Sequence, residues 1–277
     1  MNTKSLALIL FDLPEARWLL PKAVSLARGL DAHLTVLHAY RPVFYYDVIG
    51  PEPMIYATID HWREDASDPI RQIFEAEVKA NDILADFREH AVIGGAEPFL
   101  LAAGRTADFV IFGTDAAPNR APDDRSLMER LVRQLGRPAL VLHPDSAIQV
   151  PFQRLVIGWS DTREAARAAH DPIAVAADGA QIQIVTIVSD PEDSTAMTDQ
   201  KGDLAAALNR RGFAVTVNER HASAPSRAAA LLGACKDFGG DVIVAGAFGH
   251  SRVYDFVIGA VTRELLATSQ YPLVLSR

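Results

Sequence analysis

The feature that most constrains this chain is an internal repeat. Four strand-like segments of the first half recur in the second: LALILFDL as RLVIGWSD, AHLTVLHAY as AQIQIVTIV, ADFVIFGT as GDVIVAGA, and RPALVLHP as YPLVLSR. The first two pairs lie 148 positions apart, and the last two lie 133 and 134 apart. The first copy therefore holds about fifteen additional residues, and we expect two like domains, at 1–147 and 152–277.

Each copy alternates continuous Val, Ile and Leu runs with segments of helical period. Such runs are typical of strands buried on both faces, as in a parallel sheet covered by helices. The second copy predicts strands at 153–159, 181–188, 213–219, 241–245 and 272–276, with helices at 162–178, 196–211, 225–238 and 259–268. Right-handed crossovers then favour an open doubly wound α/β sheet of five strands in each copy.

Net charge, hydrophobic content and cysteine count exclude several kinds of binding partner and protein class. The 277 residues carry 35 acidic and 27 basic side chains, and the formal charge of −8 argues against a surface for nucleic acid or anionic membrane. Because 49% of residues are hydrophobic, the chain can bury a full core. Apolar runs are too short for a membrane span. The single cysteine, Cys235, excludes an intrachain disulfide, so we expect a cytoplasmic protein with Cys235 as a small core residue.

A glycine-rich segment follows the fourth strand of the second copy. Two residues separate Gly246 from Gly249, and nine more lead to Gly259, where the next helix begins. Glycines let the main chain approach a ligand closely, and a helix N-terminus presents unpaired N–H groups with partial positive charge. The segment is therefore a candidate phosphate site, although glycines also serve as ordinary turn formers.

GAFGHSR and GAVTRELL in this segment resemble the C-terminal signature of the universal stress protein family. GWSDTREAARAAHDPI resembles the first strand-to-helix turn of the same family, and both copies fit its βαβαβαβαβ order. The resemblance implies a sheet ordered 3-2-1-4-5 in each copy and association through the fifth strands, so that the tandem copies pack as a pseudo-dimer. It also implies, as in many members, binding of ATP or AMP.

The resemblance places the nucleotide in the second copy, with magnesium as its companion ion. The candidate residues are Gly246, Phe248, Gly249, Gly259, Ala260 and Val261 around the phosphates, and Trp159 and Val188 beside the base. Arg252 either contacts phosphate as a charged clamp or pairs with Asp255 or Glu264. Ala260 stands where the family has a hydroxyl residue, which removes about 1 kcal/mol of hydrogen bonding. The acid after the first strand is either displaced to Asp161 or absent. Trp159 either stacks on the base or fills its volume.

The first copy departs from the pattern in the complementary way. It keeps an acid, Asp12, after its first strand, but only Gly113 of its three loop glycines matches. Asp123 and Asp124 precede the next helix, where they either cap it on a solvated surface or repel phosphate. We therefore expect no nucleotide in the first copy. Residues 41–65, rich in aromatics and prolines, are either a surface loop, a cover over a cleft, or a subunit contact.

No catalytic apparatus is evident. The eight histidines show no metal-binding spacing, and no P-loop, dinucleotide fingerprint or nucleophile elbow occurs. We therefore expect neither catalytic nor metal-ligating residues, but a stress-response or regulatory binding protein with an unknown protein partner. Two alternatives stay open, a nucleotide-free scaffold that acts by protein contacts and a slow ATP hydrolase. Homodimerisation also stays open.

Overall fold

The computed structural model describes residues 4–40, 63–91, 95–114, 122–188, 198–222, 227–247 and 260–277. The elements of the first half are β1 (Lys4–Leu10), α1 (Leu13–Gly29), β2 (Ala32–Tyr40), α2 (Asp68–Asn81), β3 (Ala85–Ala91), α3 (Glu97–Gly104), β4 (Phe109–Gly113), α4 (Pro122–Gln134) and β5 (Ala139–Leu142). Those of the second half are β6 (Phe152–Trp159), α5 (Arg163–His170), a 3₁₀ turn (Asp171–Val175), β7 (Ala176–Val188), α6 (Thr198–Arg210), β8 (Ala214–His221), α7 (Arg227–Phe238), β9 (Val242–Gly246), α8 (Ala260–Thr268) and β10 (Leu273–Ser276).

The ten strands form one sheet in the order β3-β2-β1-β4-β5-β10-β9-β6-β7-β8. Each half is parallel and has the predicted order 3-2-1-4-5. The fifth strands pair antiparallel, with Leu140 opposite Val274, so the two five-stranded sheets are joined into a single sheet. The fold class and the association through fifth strands are therefore confirmed. The domain bounds at 147 and 152 stay a prediction.

Antiparallel pairing of β5 and β10 also decides where the strand ends lie. Because β5 and β10 run in opposite directions, the carboxyl ends of the two sets of parallel strands lie at opposite ends of the sheet. Ligands of open α/β sheets bind beyond the carboxyl ends of the strands. The chain therefore has two separate candidate crevices, one for each half.

Two apolar cores cover the two faces of the sheet. Alternate residues of β1 divide between them, with Leu6, Leu8 and Leu10 in one core and Ala7 and Ile9 in the other. Helices α1, α2, α5 and α6 pack on the first face, and α3, α4, α7 and α8 pack on the second. Corresponding helices of the two halves therefore share a face, as expected for a pseudo-twofold axis perpendicular to the sheet.

Two details of the sequence prediction are wrong. The helix predicted at 162–178 ends at His170, and a 3₁₀ turn leads into β7 at Ala176, because Pro172 lacks the N–H that an α-helix needs. The offset of the first strands is 149, not 148. Leu8 pairs with Ile111 as Ile157 pairs with Val244, and Leu8 and Ile157 are 149 positions apart.

Glu89, on the edge strand β3, lies at the centre of an ion-pair cluster. Its carboxylate lies 2.7 Å from Arg63 Nε and 2.9 Å from Arg71 Nη2, and it accepts a hydrogen bond from the Ser67 hydroxyl. Arg71 also stacks 4.6 Å from the centre of the Phe87 ring. Burial by itself would raise the pKa of Glu89, but the hydrogen bonds from these three partners outweigh it and lower the pKa.

We expect Glu89→Gln to destabilise the chain by about 1–2 kcal/mol at pH 7, because Gln keeps a hydrogen-bond acceptor but loses the charge. Asp86→Asn on the same strand is the matched control. Asp86 is half exposed and lies 3.4 Å from Arg88, so its loss should change the free energy of unfolding by less than about 0.5 kcal/mol. Urea unfolding measures both changes.

The stability that Glu89 contributes should depend on pH in the direction set by its lowered pKa. A carboxylate with a lowered folded pKa adds stability above its unfolded pKa of about 4.3, and that stability is lost as pH falls through the folded pKa. The difference in free energy of unfolding between the wild type and Glu89→Gln should therefore shrink as pH falls below about 4.3. An undiminished difference at pH 3 would contradict the assignment.

Candidate functional site

The candidate site of the second half lies where β6, β7 and β9 end. Trp159, Val188 and Gly246 are the last residues of these parallel strands, and β6 lies between the other two. The structure therefore brings these three predicted residues to one edge of the sheet, and α8 begins at Ala260. The other predicted residues, Phe248, Gly249, Arg252 and Gly259, lie outside the described residues.

Gly246 is required by packing. A Cβ added at this position would lie 2.7 Å from Ala165 N and 2.8 Å from the Glu164 carbonyl carbon, both main-chain atoms at the start of α5. Close approach of β9 to α5 therefore explains this glycine without any ligand. The next residue, Ala247, donates its N–H to the Ser276 carbonyl at 2.7 Å, which ties the strand end to β10.

The turn from β6 to α5 contains the acidic residue Asp161. The corrected offset of 149 puts Asp161 at the position of Asp12. Asp161 is exposed and accepts a hydrogen bond from Gln200 Nε2 of α6 at 3.2 Å, whereas Thr162 caps α5 by accepting from Ala165 N at 3.2 Å. Asp161 therefore follows β6 as Asp12 follows β1, but it does not cap its helix. Whether it contacts a ligand stays a prediction.

Trp159 and Thr186 are opposite each other on β6 and β7. The indole Nε1 of Trp159 and the hydroxyl of Thr186 are buried and have no hydrogen-bond partner among the described residues, and the same holds for Gln200 Oε1. Leaving a buried polar atom unpaired costs about 1–3 kcal/mol. The Trp159 donor, the Thr186 hydroxyl and the Gln200 acceptor thus lack hydrogen-bond partners among the described residues. Trp159 itself is half-buried and packs against the first-face core.

The remaining predicted residues have structural contacts. Val188 is buried, and its carbonyl accepts the N–H of Ala222 at 3.1 Å. Val261, in the first turn of α8, packs partly buried against the second-face core. Ala260 supplies the start of that helix, where N–H groups lack helical partners. Whether these residues contact a ligand stays a prediction.

Charged side chains next to Gly246 are paired. Glu164 is buried and accepts a hydrogen bond from Arg163 Nε at 2.6 Å. Burial by itself would raise the pKa of Glu164, but the Arg163 hydrogen bond and the charges of Arg163 and Arg277 outweigh it and lower the pKa. Glu164 is therefore a structural anion at the start of α5.

The corresponding edge of the first half holds a cavity of about 430 Å³. Asp12 lies in its wall and caps α1 by accepting a hydrogen bond from Glu15 N at 2.7 Å. Asp123 and Asp124 lie in the first turn of α4 and also line the cavity. His38, which sequence reasoning missed, lies in the same wall with only 2% of its surface exposed.

Sequence gave no direct signal for His38, Thr186 or Gln200. His38 and Thr186 each stand two residues before the end of an apolar strand. Only the strand pairing shows that they lie beside Leu10 and Trp159, the last residues of β1 and β6. A search for polar residues near the ends of apolar runs would have found them.

The described part of the chain indicates neither a metal site nor a reactive thiol. Among the described residues no group of three or more His, Cys, Asp and Glu side chains could hold a metal ion. Cys235 is buried, as the sequence predicts, and burial together with the Asp241 charge raises the pKa of its thiol to about 12. Within the described part of the chain, no helix is long and apolar enough to cross a membrane.

No protein-family model and no curated protein matches the sequence. Solved structures do match. A universal stress protein from Archaeoglobus fulgidus DSM 4304 superposes over 100% of this chain and 99% of its own, with a TM-score of 0.76 and 15% identity. A functionally unknown protein from Pseudomonas aeruginosa PAO1 matches over 99% of this chain and 92% of its own, with a TM-score of 0.59 and 14% identity. At these identities the likeness concerns the fold.

We expect Gly246→Ala to destabilise the chain by about 1–3 kcal/mol, because the added methyl meets main-chain atoms that cannot rotate away. Gly233→Ala in α7 is the matched control. A Cβ at Gly233 meets nothing within 4 Å, so this substitution should stabilise by up to about 1 kcal/mol. Urea unfolding without nucleotide measures both, and a neutral Gly246→Ala would contradict the packing role.

Proposed function

Because this chain has the fold of the universal stress proteins in tandem, we propose that it is a regulatory binding protein of the stress response that holds ATP or AMP in its second half. The nucleotide lies at the carboxyl edge of β6, β7 and β9, with its phosphates toward the start of α8. The protein works in the cytoplasm and transmits the nucleotide state to a protein partner.

The observation that carries this proposal is the pair of unpartnered buried groups at Trp159 and Thr186. An indole N–H can only donate, whereas a hydroxyl can donate and accept. Adenine presents both ring-nitrogen acceptors and an amino donor, so one base can satisfy both groups and also Gln200 Oε1.

The phosphate end rests on the start of α8. The first N–H groups of a helix lack internal partners and carry partial positive charge, which attracts anions. In our proposal the main-chain N–H groups of Ala260 and Val261 contact phosphate, and the segment of Gly246, Gly249 and Gly259 leads the chain past it. Magnesium accompanies ATP and is held by its phosphates.

A nucleotide-free scaffold is the second candidate, and two observations favour it. Packing against α5 accounts for Gly246 without a ligand, and Trp159 packs against the core instead of standing free at the edge. In this candidate the protein acts through protein contacts alone. No described group favours a slow ATP hydrolase, since that reaction needs a residue that positions water.

Thr186→Val tests the proposal, because it removes the hydroxyl and keeps the shape of the side chain. Isothermal titration calorimetry with AMP, and with ATP and magnesium, should show binding to the wild type and at least about fivefold weaker binding to Thr186→Val. The folded state should be as stable or more stable, since an unpaired buried hydroxyl is removed. Thr216→Val, at an exposed position on β8, should leave nucleotide affinity unchanged.

The two candidates separate in this experiment. Absence of heat with the wild type at about 5 mM nucleotide, well above a millimolar dissociation constant, would support the scaffold. Equal affinity of the wild type and Thr186→Val would place the base away from β7 and overturn the proposed site.

A further inference from the structure

The cavity of the first half has the size and the apolar surface of a small-molecule site. Its volume of about 430 Å³ falls within the usual range of ligand pockets. Leu10, Leu13, Leu100 and Leu127 contribute aliphatic side chains to its wall. Phe11 and Tyr40 also line it. Such a surface suits the hydrocarbon body of a ligand.

The charged groups around this cavity share one sign. Four aspartates line it, namely Asp12, Asp65, Asp123 and Asp124, and no Lys or Arg stands among the described lining residues. A cleft lined by charges of one sign concentrates ions of the opposite sign. Phosphate is therefore disfavoured here, and a cation is favoured.

His38 adds an independent observation. It is 2% exposed, and its Nδ1 lies 3.0 Å from the Leu10 carbonyl oxygen. Burial lowers the pKa of His38, against the Leu10 and Ala66 carbonyls and the Glu89 and Asp12 carboxylates, which favour the charged ring. In a neutral ring one nitrogen donates and the other accepts. Because a carbonyl can only accept, the proton belongs on Nδ1 in this geometry.

The other ring nitrogen is then a buried acceptor. Nε2 of His38 has no hydrogen-bond partner among the described residues. Together with the carboxylates of Asp12 and Asp65, it gives the wall a set of acceptors. A ligand that satisfies such a wall must bring N–H donors, positive charge and an apolar body.

We propose that the first-half cavity binds a small organic ammonium ion with an aromatic or aliphatic body. Its nitrogen donates to Asp12, Asp65 and His38 Nε2, and its body lies on the leucines. A bare metal ion does not fit, because no suitable group of three or more ligands exists among the described residues. The proposal does not depend on nucleotide binding in the second half.

Tyramine is a suitable probe, and 4-hydroxyphenylacetate is a similarly sized anionic counterpart. Calorimetry should show binding of tyramine and none of the acid. Asp12→Asn/Asp65→Asn should weaken tyramine binding about tenfold or more, which corresponds to about 1.4 kcal/mol. Asn also caps helices well, so α1 should keep its start. Asp161→Asn, at the equivalent position of the second half, is the matched control and should leave tyramine affinity unchanged.

A spectroscopic readout avoids mutating His38. The ¹⁵N resonance of its Nε2 should shift when tyramine is added and stay in place when the acid is added. Thermal melting should show that each variant remains folded.

Several results would overturn the proposal. The first two are absence of tyramine binding at about 5 mM and equally strong binding of the acid or of AMP at this cavity. The other two are displacement of tyramine by low millimolar magnesium and unchanged tyramine affinity in Asp12→Asn/Asp65→Asn. Loss of AMP binding in Thr186→Val tests the nucleotide site of the second half. It neither supports nor contradicts tyramine binding in the first half.

Discussion

Antiparallel pairing of β5 with β10 is the interaction on which the rest of the structure depends. Both strands are fully buried, and each would be an exposed edge in an isolated copy. Their pairing closes two edges at once and fixes the pseudo-twofold axis. It also sends the carboxyl ends of the two parallel sets to opposite ends of the sheet. Each half therefore has its own crevice, and the side chains around the two crevices differ in charge.

The two crevices differ at equivalent positions. The register places Leu10 where the second half has Trp159, and His38 where it has Thr186. In the first half a leucine and a histidine line an acidic cavity. In the second half an indole packs over the core beside an unpartnered hydroxyl. One architecture thus presents acceptors at one end and mixed donors and acceptors at the other, so we expect ligands of different chemistry at the two ends.

Sequence predicts the architecture well because the repeat and the apolar runs are long-range regularities. Strand order and association through the fifth strands came from a resemblance, and the register confirms both. The offset of 149, which aligns Asp12 with Asp161, was missed because Leu, Ile and Val interchange freely when two apolar runs are aligned. Sheet hydrogen bonds settle it, and with it the place of Asp161.

The site was harder to predict for a related reason. The glycine spacing at Gly246 predicts a ligand-binding loop. Its close neighbours, however, are main-chain atoms of α5, which are distant in sequence. His38 and Thr186 are single polar residues in apolar strands, and their unpartnered atoms become evident only when the neighbouring strand is in place. A glycine or a polar residue has several physical roles, and only tertiary contacts select among them.

The central claim, that the two ends of the sheet bind ligands of opposite charge, is tested most directly by one ¹⁵N NMR titration. The indole N–H of Trp159, assigned with Trp159→Phe, and the ring nitrogens of His38 are followed while AMP and then tyramine are added. AMP should shift the Trp159 signal alone, and tyramine should shift the His38 signal alone. Movement of the same signal by both ligands, or of neither signal by either, would contradict it.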